Sequence, residues 1–273
     1  MFLNKLSEKD FVVLRGPFVS GRQNLNSIAG ILILSIFLQA LMFFLTYVVA
    51  GDRSIFPHID ILFHVHLYIT GGLCILSLVY AIPFVFVRQQ KLQYLISILV
   101  SQNIFGVFPL LMALFYIGKN NAITEGVLLN FTFTILLLGL LVFIATSIRF
   151  IILLNKGAYR QGSKKDQLRT RAEAGIKSFM PMIILASVSL LYLIQFVVRN
   201  FGLENIFDVV ILAICILLFL AMLFVLPEQL VILYCKFRFE SFNFQVNGVY
   251  LNPLQETEET AGTKFKKNSN ANN

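Results

Sequence analysis

A chain of 273 residues with 58 % hydrophobic residues, 13 % charged residues and a mean hydropathy of +0.80 is too apolar for a soluble domain, which carries about twice that charged fraction. The net charge of +8 raises nucleic-acid binding, but the placement of the basic residues belongs to membrane insertion and leaves no nucleic-acid partner to expect. Three scattered cysteines, Cys74, Cys215 and Cys235, with no C-x-x-C spacing, speak against a disulfide framework and a zinc site.

Residues 1–27 form a short arm. Ser7-Glu8-Lys9-Asp10 can cap a turn, and Phe11-Val12-Val13-Leu14 before Gly16-Pro17 reads as a short strand ending in a turn. Six apolar runs follow, at 28–50, 61–87, 92–117, 126–154, 179–198 and 206–226, the last continuing to about 235. Each reaches the roughly 20 residues that a helix rising about 1.5 Å per residue needs to cross a hydrocarbon core of about 30 Å. Val48-Val49-Ala50 looks like a signal-cleavage site, but the long segments before it make a retained span the expectation. The first run holds Gln39 near its middle. The second begins with His58, His64 and His66, and the third carries Ser101-Gln102-Asn103, then Gly106 and Pro109. Residues 155–178 form a basic, solvated loop. In the sixth run Pro227-Glu228-Gln229 interrupts the pattern, and Pro227 reads as the helix end.

Past Cys235 the period changes. Phe237, Phe239, Phe242, Phe244 and Val246 alternate with polar residues before Asn247-Gly248, which predicts a small cytoplasmic β-hairpin at 236–251 within an element spanning 236–254. The strand-like piece at 11–14 can pair with it. Residues 255–273 are polar without apolar periodicity and are expected to be disordered.

Nineteen of the 22 Lys and Arg residues fall on one side of the six runs, while Arg53, Lys119 and Arg199 fall on the other. Basic loops are retained in the cytoplasm on insertion, so both termini are expected inside. The fold class is therefore an all-α integral membrane protein, a six-transmembrane-helix bundle over 28–235 in the plasma membrane. The basic loops are expected to rest on anionic lipid headgroups. Abundant Phe, Ile, Leu, Asn and Lys with no Trp suit an AT-rich coding sequence and a bacterial membrane.

Three groups of residues could carry chemistry. His58, Asp60, His64 and His66 gather at the outer end of the second run. Asp60 and His64, four apart, share a helix face and could chelate a metal, whereas His66 points roughly 200° away from His64. The ordinary alternative is hydrogen bonding to headgroups and water. Gln39, Gln102 and Asn103 lie near the middle of their spans, where an unsatisfied polar group costs several kcal/mol, so they act either as interhelical glue or as a pathway or binding site. Glu228 is the one carboxylate that could lie within the membrane, as a proton carrier or a partner of Arg149. No hydrolase, metalloprotease or phosphate-loop motif is present, and no cofactor is expected; haem would need histidines from two helices. The expected function is a non-enzymatic transport or translocation subunit, permease-like, with a protein partner such as an energising ATPase subunit. The alternatives are an immunity protein against a membrane-acting toxin, or a structural component of an envelope machine.

Overall fold

The computed structural model describes residues 6–119, 123–163, 166–167 and 204–245. In hydrocarbon every backbone N–H and C=O must be satisfied within the protein, so apolar runs of this length become helices. Five helices among the described residues are long and apolar enough to cross a membrane. They are α1 (Leu25–Ala50), α2 (Ile59–Ala81), α3 (Gln90–Ile117), α4 (Glu125–Asn155) and α5 (Glu204–Arg238, with its apolar span from Val209). The expected span at 179–198 lies outside the described residues.

Cross-bonds fix the directions of the helices. Buried Gln93 donates to the carbonyls of Leu25 (3.1 Å) and Tyr80 (3.2 Å), joining the start of α1, the end of α2 and the start of α3. At the opposite end, Ile55 N–H bonds the Gly118 carbonyl at 3.0 Å, so the α1–α2 loop closes over the end of α3. Along α4 and α5, Ile135 packs with Phe219, Gly139 meets Phe219 and Leu223, and Phe150 shares a cleft with Pro227 and Glu228. Residue numbers rise together on both, so α4 and α5 run parallel. The axis of the bundle is α3: two-thirds of its most apolar window is buried, 67 %, against 17 % for α4 and 11 % for α5. The exposed faces of α4 and α5 carry Leu137, Leu141, Leu217 and Phe224, a surface suited to lipid.

The arm does not form a strand. Glu8–Arg15 is a 3₁₀ turn, followed by a short helical turn at Gly16–Val19. The Asp10 carboxylate accepts from the Ser7 N–H (2.8 Å) and hydroxyl (2.9 Å), which gives the turn a capped start and overrides the β propensity of Phe11-Val12-Val13. The β-hairpin is likewise not formed in its described half. Lys236–Arg238 continues α5 and Glu240–Phe242 is one 3₁₀ turn, while Asn247-Gly248 lies outside the described residues. Asn243 Nδ2 donates back to the carbonyls of Lys236 (2.9 Å) and Phe239 (3.2 Å), so the helix end is capped and the chain folds onto it. The alternating phenylalanines serve an aromatic cluster: Phe242 and Phe244 are buried against Phe18, and Phe239 packs on Phe11 at 5.8 Å, whereas Phe237 is exposed. The arm and this segment do meet, as expected, but as turns. Pro227 does not end its helix either, because α5 runs through it to Arg238. Gln102 donates to the Met222 carbonyl at 3.2 Å, next to the Leu223 carbonyl whose helical donor Pro227 lacks.

Two predictions follow from this packing. A Cβ on Gly139 would stand 2.7 Å from Leu223 Cδ1 and 2.9 Å from a Phe219 ring carbon. Gly139→Leu should therefore wedge α4 from α5 and destabilise by about 1–3 kcal/mol, read as a lower Tm in detergent, with Gly139→Ala milder. At the arm, burial opposes the Asp10 carboxylate, but Arg160 at 2.7 Å and the Ser7 bonds outweigh it and hold the carboxyl below its ordinary value. A depressed folded pKa stabilises above the unfolded value and is lost as pH falls through the folded one. Proteolysis of the arm should accordingly rise on acidification below about pH 4, and Asp10→Asn should be cleaved readily at neutral pH.

Candidate functional site

Buried polar side chains from α1, α2 and α3 meet inside the bundle. His66 and Thr70 are four apart on α2, hence on one face, and both are buried. From α3, Asn103 reaches them: its Oδ1 lies 2.9 Å from His66 Nε2, and its Nδ2 is 3.3 Å from Thr70 Oγ1 and 3.2 Å from Gln39 Oε1 of α1. On the other side of the imidazole, Tyr47 Oη lies 3.0 Å from His66 Nδ1 and 3.3 Å from the Leu62 carbonyl. One continuous chain of hydrogen bonds thus runs from Tyr47, near the C-terminal end of α1, to Gln39 about two turns back along the helix.

The backbone is irregular at two of these positions. Asn103–Val107 forms a π-helical turn within α3, and Leu45–Ala50 forms another at the end of α1, so Asn103 and Tyr47 both sit on widened turns. In α3 the cause lies in Pro109, whose ring displaces the carbonyl of Phe105 and offers it no N–H. Aromatic rings wall the chain off from lipid. Phe108 stacks on His66 at 4.5 Å, Phe43 approaches it at 5.9 Å, and Phe115 packs on Tyr47 at 5.4 Å.

Counting donors assigns the protons. With Asn103 Nδ2 donating to Gln39 and Thr70, its Oδ1 must accept, so His66 Nε2 carries a hydrogen. In the neutral ring, Nδ1 then accepts from the Tyr47 hydroxyl. With a second proton on the ring, Nδ1 donates to Tyr47 Oη, and the phenolic hydrogen turns to the Leu62 carbonyl. The two states differ by one hydroxyl rotation, and His66 keeps both partners in each. The Gln39 Nε2 and Thr46 Oγ1 atoms are buried beside this chain without a protein partner among the described residues.

The other expected residues go elsewhere. Gln102, next to Asn103, is turned to α5, donating to the Met222 carbonyl (3.2 Å) and Gln229 Oε1 (3.3 Å). Glu228 and Arg149 line one small cleft of about 150 Å³ with Thr146 and Tyr159, apart from the network. The histidines are not gathered. His58 holds a left-handed conformation at the start of α2, exposed His64 bonds the Asp60 main-chain carbonyl at 2.7 Å, and His66 faces Asn103. Among the described residues no group of three or more His, Cys, Asp or Glu side chains could hold a metal.

Sequence reasoning passed over Tyr47, Thr70 and Lys236. Lys236, taken as a tail cation, is 1 % exposed; its Nζ donates to the Phe242 carbonyl at 2.9 Å and lies 4.5 Å above the Phe18 ring and 5.6 Å from those of Tyr94 and Phe244. A signal for the network did exist: His66, Thr70 and Ser77 follow one another at helical spacing along an otherwise apolar span.

No known family, characterised protein or solved structure matches this chain.

Asn103 serves three buried partners and Gln102 two that are partly buried. Asn103→Leu should cost about 1–3 kcal/mol and more than Gln102→Leu, measured by unfolding both variants in the same detergent.

Proposed function

We propose that this chain is a non-enzymatic transport or translocation subunit of the plasma membrane, permease-like, whose working element is the Tyr47–His66–Asn103–Gln39 network. One observation carries the reading: a titratable imidazole is held among amides and a phenol inside an apolar bundle, in an arrangement that keeps both of its bonds in either protonation state. Ionisable groups placed inside a bundle serve proton relays and substrate paths more often than packing. The set contains no carboxylate, so it suits a proton or a small neutral polar solute better than a metal cation.

The proposed topology keeps six spans with both termini cytoplasmic. The parallel course of α4 and α5 supports it: a chain leaving α4 at one face must return across the bundle before α5 begins, and 179–198 is apolar enough to do so. The network residues then lie in the outer half of the membrane, with the arm and the basic loops inside. An energising ATPase subunit would act from that inner side.

A second reading is favoured by the bare apolar faces of α4 and α5, which offer a helical partner a docking surface within the bilayer. Immunity against a membrane-acting toxin, or a structural place in an envelope machine, would use those faces and not the network.

Proteoliposomes separate the two. With a pH gradient imposed across vesicles holding a pH-sensitive dye, the wild-type protein should collapse the gradient, and His66→Ala and Asn103→Leu should remove most of that flux while Gln102→Leu retains it. A wild-type protein that passes no protons, and that co-purifies with a toxin or an envelope complex and not with an ATPase subunit, would defeat the transport reading.

A further inference from the structure

At the inner end of the bundle, α2 breaks at Ile82 before Pro83, a short helix runs over Pro83–Arg88, and α3 starts at Gln90. This tight return sets Arg88 and Lys91 side by side on the rim of an open cleft of about 470 Å³, closed opposite by Phe237 and Asn243. We propose that this cleft is a binding site for the phosphate headgroup of an anionic membrane lipid.

The charge is uncompensated. No carboxylate lines the cleft, and among the described residues neither Arg88 nor Lys91 forms an ion pair. Both cations instead lie on aromatic rings, Arg88 4.0 Å over Phe84 and Lys91 5.4 Å from the Phe237 centroid. A guanidinium held over a ring face by a cation–π contact makes no claim on its in-plane N–H donors, which suit bidentate bonding to phosphate oxygens. The cleft is also held open from within: Gln90 bonds both the N–H (2.8 Å) and the C=O (2.7 Å) of Phe244, fixing the wall that carries Asn243.

The surroundings select a lipid over free phosphate. Phe84 is 66 % exposed, Phe237 55 % and Leu92 38 %, and all three border the cations. An amphiphile uses both parts, with its phosphate between Arg88 and Lys91 and its chains along the rings. A free anion would leave those rings bare. The neighbouring Arg149 cleft is a poorer site for the same ligand, since it is smaller, about 150 Å³, and carries Glu228. The inference rests on the proposed placement of this end at the inner leaflet but not on transport, so either can fail alone.

Native mass spectrometry of the full chain, released from vesicles of phosphatidylglycerol and phosphatidylcholine, tests it. The wild type should retain one phosphatidylglycerol selectively, and Arg88→Gln/Lys91→Gln should weaken that retention about thirtyfold, two basic contacts being removed. Arg88→Lys/Lys91→Arg keeps both charges and should retain the lipid, which guards against loss through misfolding; Lys119→Gln, at the far end, should behave as wild type. Equal retention by the Gln variant would overturn the site. Displacement of the lipid by millimolar inorganic phosphate, or phosphate binding without lipid, would overturn the lipid assignment in favour of a soluble phosphate.

Discussion

The hydrogen bond between Asn103 and His66 is the contact on which the arrangement of α1, α2 and α3 depends. In lipid there is no hydrophobic drive to bring helices together, since a leucine is as well solvated by acyl chains as by another leucine. What distinguishes one helix register from another is the cost of leaving a polar side chain without a partner. Asn103 bonds α2 through His66 and Thr70 and α1 through Gln39, so a slip of any of the three by one residue would strand several buried groups at once. Its neighbour Gln102, about 100° around the same helix, does the corresponding work toward α5. Two adjacent amides thereby serve different interfaces, and α3 is the most buried of the described spans.

At the end of the bundle that carries the N-terminal arm, basic side chains are buried as well. Lys236, in the last turn of α5, is buried: its Nζ donates to the Phe242 carbonyl, faces the rings of Phe18, Tyr94 and Phe244, and lies near the partial negative charge of the helix C-terminus. Arg15 follows a related pattern, bonded to Glu8 and Ser241 while lying 5.0 Å from the Phe242 ring. The arm, the end of α5 and the start of α3 are therefore joined around cations embedded in aromatic surface. This explains why the basic residues at this end do not all remain in solvent, as a count of loop charges would assume.

Hydropathy alone made α1 to α5 legible, because run length against bilayer thickness admits few alternatives. The irregular turn in α3 was legible too, since Gly106 and Pro109 follow Asn103 in a polar stretch of a span. Local periodicity failed at both segments that flank the bundle. A period of two in Phe237 to Phe244 and a β-branched pair at Val12-Val13 signal strands only where a sheet exists to receive them, and here capping by Ser7, Asp10 and Asn243 supplied a closer set of partners. Pro227 misled because a helix can pass through a proline: α5 continues beyond it to Arg238, with the Gln102 amide bonded to the nearby Met222 carbonyl. The histidines show the limit most clearly. Proximity in sequence grouped His58, His64 and His66, but a rotation of roughly 200° over two residues sends His64 outward and His66 inward, and the partners of His66 lie on helices that no spacing rule connects to it.

The identity of the central residue bears on the proposed function. If the network served only to hold helices in register, amides and hydroxyls would suffice, as Gln102 and Gln229 do on the α5 side. An imidazole adds a second protonation state, and the placement of Tyr47 gives that state an acceptor without moving a heavy atom, since the displaced phenolic hydrogen has the Leu62 carbonyl to turn to. Asn103, on the far side, accepts from His66 Nε2 in both states and so keeps the ring from flipping. The widened turns at Asn103 and Tyr47 lie at the two ends of the imidazole, where a small change in helix register would alter its partners first. A site whose bonds persist in either protonation state, held between two π-helical turns, is better matched to the proposed movement of a proton or a polar solute than to static packing.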